Sequence, residues 1–354
     1  HVEVPHRRTG GRSRADSNRV RTRSGALRRR IVTVPAVGLA AVGTTVTMPL
    51  WVPAVVLVDV IGRRRRRPLT RLSLFGWWWA WHEVGGVALA FRLWATGRRR
   101  DHDAHYALMA RWSAGLMRGL DLIGGIRVDV QGLDELRAGD AIVVSRHASF
   151  ADSLVSGWVT SALAGLRPRY VLKRELLVDP CLDIVGLRLP NHFIDRSAVD
   201  NDAELGALQR LAAGIGPGDV AVIFAEGTRA TPAKRRRALE KIAERDVDRA
   251  RELSALRHLL PPRAAGTRAL LDGAPSADVV LAWHTGFDGF DSPRGMLARL
   301  AEPPVAARFV LRRVPRGSVD DDDFAAWLDQ RWLELDEEVD RALANGAEPS
   351  PAVP

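Results

Sequence analysis

His147 and Asp152, five positions apart in Ser145-Arg146-His147-Ala148-Ser149-Phe150-Ala151-Asp152, form a pair able to do acid–base chemistry. On one regular helix, positions five apart point about 140° away from each other. For the two to cooperate, His147 must sit in a turn and Asp152 in the first turn of the helix that follows. The carboxylate then holds one ring nitrogen, and the other serves as a base. A second reading stands beside it. Ser149 and Asp152 have capping-box-like spacing, which makes Asp152 a helix-start residue and His147 an ordinary loop histidine.

Downstream, Glu226-Gly227-Thr228-Arg229 closes an apolar run. Gly227 permits close backbone approach to a ligand, Thr228 offers a hydroxyl, and Arg229 offers a fork of donors suited to phosphate. A plain strand-to-helix turn fits the same residues. Phe193-Ile194-Asp195-Arg196 brings another arginine to a strand end, Lys173-Arg174-Glu175-Leu176 follows a further strand, and Pro262-Arg263-Ala264-Ala265-Gly266 reads otherwise as a proline-rich loop. His284 fits a core or lining histidine. The sequence holds no Gly-x-Ser-x-Gly, no Walker A and no His-Glu-x-x-His. Cys181, the only cysteine, excludes a disulfide or a cysteine-based zinc site within one chain.

The elements around these residues alternate. Apolar strands are expected at 126–131, 141–145, 170–172, 192–194, 219–224, 277–283 and 309–314. Helices are expected at 104–124, 152–164, 201–214, 232–258 and 323–343. Such alternation predicts an α/β fold with a mainly parallel sheet flanked by helices.

Charge divides the chain. Residues 1–100 hold 20 Arg against four acids, a net +16, so the remainder nets −6 within a total of +10. A nucleic-acid-binding core is thereby disfavoured, and a basic N-terminal region facing anionic lipid is favoured. With three Lys against 49 Arg, single exposed arginines carry little weight. Residues 1–30 read as a disordered basic arm. The apolar run 31–62 is long enough to span a bilayer and too long for a signal peptide. After the arginines of 63–67 comes a second apolar, Trp-rich segment, 72–96. Arginine flanks both segments on both sides, which two simple crossings do not satisfy. Either 31–62 is a re-entrant hairpin broken near 44–49, or one segment lies in the interface. The expected regions are thus a basic arm (1–30), N-terminal membrane helices (31–100), a catalytic domain (101–345) and a disordered tail (346–354).

In this order, the segments resemble the blocks of the glycerolipid acyltransferase family, the 1-acylglycerol-3-phosphate and lysophospholipid acyltransferases. His147 to Asp152 resembles its His-x4-Asp block. Lys173 to Leu176 and Phe193 to Arg196 resemble the second block, and Glu226 to Arg229 resembles the third. Pro262 to Gly266 and the stretch 323–338 are similar to the lysocardiolipin-type branch. Arg146, Ala225 and Asn191 depart from the usual Asn, Pro and Gly. The resemblance implies a glycerol-3-phosphate acyltransferase-like fold. It implies transfer of an acyl group from acyl-CoA or acyl-carrier protein to a lysophospholipid hydroxyl, with His147 as general base and Asp152 orienting it. Arg196, Glu226, Gly227, Thr228, Arg229, Arg263 and Lys173 would bind substrate. No metal and no cofactor are implied, the partners are membrane lipids and the acyl donor, and no nucleic acid is expected. The expected location is the cell membrane, with the catalytic domain on the cytoplasmic side. Two alternatives are a polar or glycosylated phospholipid acceptor and a non-catalytic basic membrane-anchored protein.

Overall fold

The structure, a computed structural model, describes residues 14–194, 201–303 and 306–345, except the side chains of 14–24, 201 and 345. Seven strands form one sheet: β1 (Val128–Gln131), β2 (Ala141–Ser145), β3 (Arg167–Lys173), β4 (His192–Ile194), β5 (Asp219–Phe224), β6 (Asp278–Thr285) and β7 (Ala307–Val314). Their order is β1-β7-β6-β2-β5-β3-β4. Every neighbouring pair is parallel except β6 with β7. The central strand β2 is buried along its whole length, as its unbroken Ala-Ile-Val-Val run requires.

Among the described residues, twelve α-helices accompany the sheet: α1 (Arg14–Val46), α2 (Met48–Ile61), α3 (Pro68–Ala95), α4 (His102–Leu122), α5 (Leu133–Arg137), α6 (Asp152–Gly157), α7 (Asn201–Ala212), α8 (Pro232–Ala243), α9 (Val247–Leu253), α10 (Ala264–Gly273), α11 (Pro293–Ala301) and α12 (Phe324–Asn345). One face of the sheet packs on α7, α10 and α12, through Leu208, Leu270, Leu328 and Trp332. The other packs on α4 and α6, through Leu116, Leu120, Leu154 and Val155. On α12, Leu328, Trp332, Leu335 and Val339 follow helical spacing and are fully buried. The same helix organises a loop: Asp336 accepts from the backbone N–H groups of Arg257, His258 and Leu259, and Trp332 Nε1 donates to the Leu260 carbonyl at 3.0 Å.

Several expectations move. The stretch 232–258 is two helices, because Asp246 caps α9 through the Arg249 N–H at 2.9 Å. The supposed proline-rich loop at 261–266 runs into α10 at Ala264. Residues 14–30, expected to be disordered, belong to α1. Its arginines are good helix formers, and Arg29 and Arg30 pair with the fully buried carboxylate of Asp183 at 2.8 and 3.0 Å. Residues 1–13, Asp195 and Arg196, and the tail 346–354 lie outside the described residues.

The apolar run 31–62 breaks at Thr47, within the expected 44–49, and α1 and α2 meet at a bend of 76°. Among the described residues no single helix is long and apolar enough to cross a membrane; only the bent pair has that length and composition. Segment 72–96 lies in one helix, α3, docked on the domain. Trp78 Nε1 donates to the Gly115 carbonyl at 2.9 Å, and Glu83 accepts from Trp112 Nε1 at 3.1 Å and from the Cys181 N–H at 3.0 Å. Near the break, Trp77 and Trp81 both donate to Thr45 Oγ1, at 2.8 and 2.9 Å. Outward, α1 and α2 expose Ile31, Leu39, Val46, Leu50, Leu57 and Ile61, Leu50 at 76 %.

The chain leaves β6 through Gly286, whose φ of +90° is left-handed and where a Cβ would lie 2.6 Å from Ala307 Cα. Gly286→Ala should destabilise the domain by about 2–4 kcal/mol, from left-handed strain plus overpacking. Urea denaturation measures this, and an unchanged midpoint would show that the turn tolerates a side chain.

Candidate active site

Strand β2 delivers the chain to the C-terminal edge of the sheet, where open α/β sheets bind ligands. There Arg146 donates its N–H to the Ala282 carbonyl of β6 at 2.9 Å, and the chain turns through residues 147–151 into α6. Asp152, the first residue of that helix, closes the turn. Its Oδ2 accepts from the backbone N–H groups of Ala148 at 2.6 Å and Ser149 at 2.8 Å, and from His147 Nδ1 at 2.9 Å. Its Oδ1 accepts from Ser149 Oγ. The helix-start role and the histidine-orienting role are therefore both performed by one carboxylate.

The geometry assigns the proton on neutral His147 to Nδ1, because the Asp152 carboxylate can only accept. Nε2 then presents its lone pair to the pocket, with Lys173 Nζ 3.3 Å away. The imidazole side chain is 10 % exposed and lies with its ring centre 4.9 Å from that of Phe224. Burial pushes its pKa below the ordinary 6.5, and the charges of Lys173 and Arg229 push the same way against Asp152. Burial would raise the Asp152 carboxyl, but His284 and His147 hold it well below the usual carboxylate range. The pair is therefore a neutral imidazole beside an ionised carboxylate.

The loop after β5 supports this arrangement from the other side. Glu226 is buried, accepting from the His147 N–H at 2.8 Å and from the Leu260 N–H at 3.0 Å. Burial pushes its carboxyl up to about 8. Glu226, expected to bind substrate, is not part of the pocket wall and fixes the histidine backbone, because two buried N–H groups need an acceptor. Ala230 N–H donates to the His147 carbonyl at 2.7 Å and closes the link between the loops. Thr228 is likewise off the pocket wall, its hydroxyl accepting from Lys234 Nζ at 3.2 Å.

A pocket of about 580 Å³ opens at His147. Lys173, Gly227, Arg229 and Arg263 line it, so four expected substrate-binding residues come together; Arg196 lies outside the described residues. Gly227 has φ +65°, and a Cβ there would press on the Arg263 guanidinium at 3.3 Å. Arg229 stacks on Phe150, 3.6 Å from its ring centre, and donates to the Asp291 carbonyl at 3.3 Å. The rest of the wall is largely apolar, with Val171, Leu172, Leu176, Leu205 and Leu208. Phe150, Ser153, Leu172 and Leu176 also line a second cavity of about 170 Å³, bounded by Trp79 of α3 and Trp112 of α4.

Arg146 does not reach the pocket. It is 2 % exposed and turns inward, donating to the His284 carbonyl and, at 2.8 Å, to Asp288 Oδ1. Its neighbours His284 and Asp288 were not linked to the site by sequence, since no motif joins positions so far apart in the chain. Phe150, inside the histidine block, and Lys234, six residues beyond Thr228, were within reach of a closer reading of local spacing. Among the described residues no group of three His, Cys, Asp or Glu side chains is placed to hold a metal ion.

Residues 127–261 match the family model described as Acyltransferase. The mouse (Mus musculus) protein 1-acyl-sn-glycerol-3-phosphate acyltransferase epsilon is 28 % identical over 184 residues, which are 50 % of this chain and 47 % of that protein. The chain thus spans about half the length of the curated relative it matches. In fold, the chain is similar to the crystal structure of the 1-acyl-sn-glycerophosphate (LPA) acyltransferase PlsC from Thermotoga maritima. The TM-score is 0.54 at 14 % identity, covering 81 % of this chain and 100 % of that one.

If neutral His147 is the base, kcat/KM should fall on acidification with a limb below pH 6.5, because the folded enzyme keeps the imidazole unprotonated to lower pH than a free histidine. A pH–rate profile checks this. A limb above 6.5 would mean that Asp152 outweighs burial.

Proposed function

We infer that the chain is an acyltransferase of the 1-acylglycerol-3-phosphate and lysophospholipid type, which the family match over 127–261 and the mouse relative support. We propose that it moves a fatty acyl group from acyl-CoA or acyl-carrier protein to the free hydroxyl of 1-acylglycerol-3-phosphate or a related lysophospholipid. The observation that carries this reading is the placing of His147 in a pocket lined by cationic residues and by apolar walls that it shares with a second cavity. An amphiphile with a phosphate and a long chain matches that division of charge.

In this mechanism Nε2 takes the proton of the acceptor hydroxyl as its oxygen attacks the thioester carbonyl carbon. The new C–O bond forms, the C–S bond breaks, and the leaving thiolate recovers the proton from the imidazolium. Asp152 stabilises that imidazolium without being protonated itself, as in triad logic. The nucleophile is the substrate hydroxyl, so no acyl-enzyme is needed. Arg229 and Arg263 orient the acceptor phosphate, and Lys173 adds positive charge beside the developing oxyanion. Gly227 lets the acceptor approach the backbone, and Arg196 is proposed as a further phosphate contact. The acyl chain lies along Leu172 and Leu176 toward Trp79.

The exposed apolar faces of α1 and α2, with arginine on both sides of the apolar run 31–62, suit a position in the headgroup region. We place the enzyme at the cell membrane, with the pocket on the cytoplasmic side, where acyl donors are made and lysophospholipids are reached from the bilayer surface.

Purified protein in detergent should release CoA from a long-chain acyl-CoA only when a lysophospholipid is present. His147→Ala should lower kcat by about 10²–10⁴-fold with the fold intact, and retained turnover would sink the mechanism. Arg229→Ala should raise the acceptor KM about tenfold, the loss of one charge-assisted contact. An unchanged KM would remove Arg229 from the phosphate site.

A further inference from the structure

A second imidazole stands on the far side of Asp152 from His147. His284, near the end of β6, is 1 % exposed, and its Nε2 lies 3.1 Å from Asp152 Oδ1. The approach is close but not aligned as a full hydrogen bond, and neither ring nitrogen has a well-aligned partner among the described residues. An apolar ring would fill this slot without burying two polar nitrogens, so packing alone does not account for a histidine here. Nε2 must carry its hydrogen, since two lone-pair atoms would repel at 3.1 Å.

The ring is held on several sides. Phe309 stacks on it, with planes 11° apart and centroids 6.3 Å apart, and Phe287 meets it edge-on at 5.7 Å. Arg146 grips its backbone carbonyl and is itself tied to Asp288. His284 lines neither the main pocket nor its apolar extension, so it does not touch substrate.

We propose that His284 is a positioning residue for acyl transfer, fixing Asp152 from behind so that the carboxylate keeps both its orientation and its charge toward His147. The proposal rests on the reading of His147 as the general base. Asp152 is then clamped between two imidazoles, one facing substrate and one facing the core. Burial pushes Asp152 up, and the field of His284 is the largest influence holding it down. Without that field, Asp152 becomes a stronger acceptor for the His147 imidazolium, and the acid limb moves to higher pH. The other charged or titratable groups around the pair are Arg146 after β2, Lys173 at the end of β3, Glu226 and Arg229 after β5, and Asp288 after β6. A variant at His284 leaves all of them in place.

The test compares His284→Phe, His284→Gln and His147→Ala, using a long-chain acyl-CoA and 1-acylglycerol-3-phosphate in detergent. The Phe variant, which keeps the ring shape, should lose roughly 10–100-fold in kcat with both KM values unchanged, as expected when a reacting group is misplaced. Its acid limb should move to higher pH. The Gln variant, whose amide can still donate to Oδ1, should recover most of the rate, with a limb between those of the wild type and the Phe variant. If the Phe variant does not fold, His284→Asn takes its place, because its shorter amide falls short of Asp152. A folded Phe or Asn variant with wild-type kcat and limb, beside an inactive His147→Ala, overturns the positioning role alone. Equal losses in the Phe and Gln variants with an unmoved limb also overturn it, in favour of simple packing. An active His147→Ala instead overturns the base assignment on which the proposal stands.

Discussion

One buried carboxylate sets the geometry of the site. Asp152 is removed from water and surrounded by donors: two backbone N–H groups, the Ser149 hydroxyl and the Nδ1 of His147, with His284 pressed against its other oxygen. A desolvated carboxylate is costly unless it is well satisfied, and this one is satisfied mostly by its own turn. The turn therefore cannot open without exposing an unpaired charge, and His147 is held in one tautomer. The rest of the active edge extends this constraint. Glu226 fixes the histidine backbone to Leu260, and Leu260 lies in the loop that α12 organises through Asp336 and Trp332. A helix at the far end of the chain thus reaches the base through a sequence of hydrogen bonds.

Two acidic residues close to the histidine meet different fates for a physical reason. Asp152 faces two imidazoles and several donors and stays ionised, whereas at Glu226 burial outweighs its two backbone donors and the carboxyl rises to about 8. Neither is aimed into the pocket. The positive charge on the pocket wall comes from Lys173, Arg229 and Arg263, which three separate segments of the chain supply. The docked helix α3 adds Trp79 to the second cavity, whose wall shares Phe150, Ser153, Leu172 and Leu176 with the pocket at His147.

Much of this was legible in the sequence because the signals were local. Strand runs such as Ala-Ile-Val-Val at 141–144 have a single burial pattern, and the His-x4-Asp spacing needs only one turn to bring its ends together. The break near Thr47 was likewise readable from clustered Thr and Pro. What was missed is nonlocal. The roles of His284 and Asp288 depend on β6 lying beside β2, a pairing that periodicity does not reveal. Glu226 carries every mark of a ligand-binding residue, and only the position of Leu260 shows that it serves the backbone. Arg146, read in the sequence only as a departure from the usual Asn, is buried and bonded to His284 and Asp288. The helical state of 14–30 was obscured by polarity, since the buried Asp183 that pairs with Arg29 and Arg30 lies more than 150 residues away.

The central claim is that Asp152 holds His147 as a neutral imidazole with its proton on Nδ1 and Nε2 turned to the pocket. Nitrogen-15 NMR of the imidazole side chains, with His147 assigned by its absence in His147→Ala, measures this directly. The account predicts an Nδ1–H tautomer at pH 7 that gains its second proton only below pH 6.5. An imidazolium at pH 7, or a proton on Nε2 in the neutral form, would contradict it.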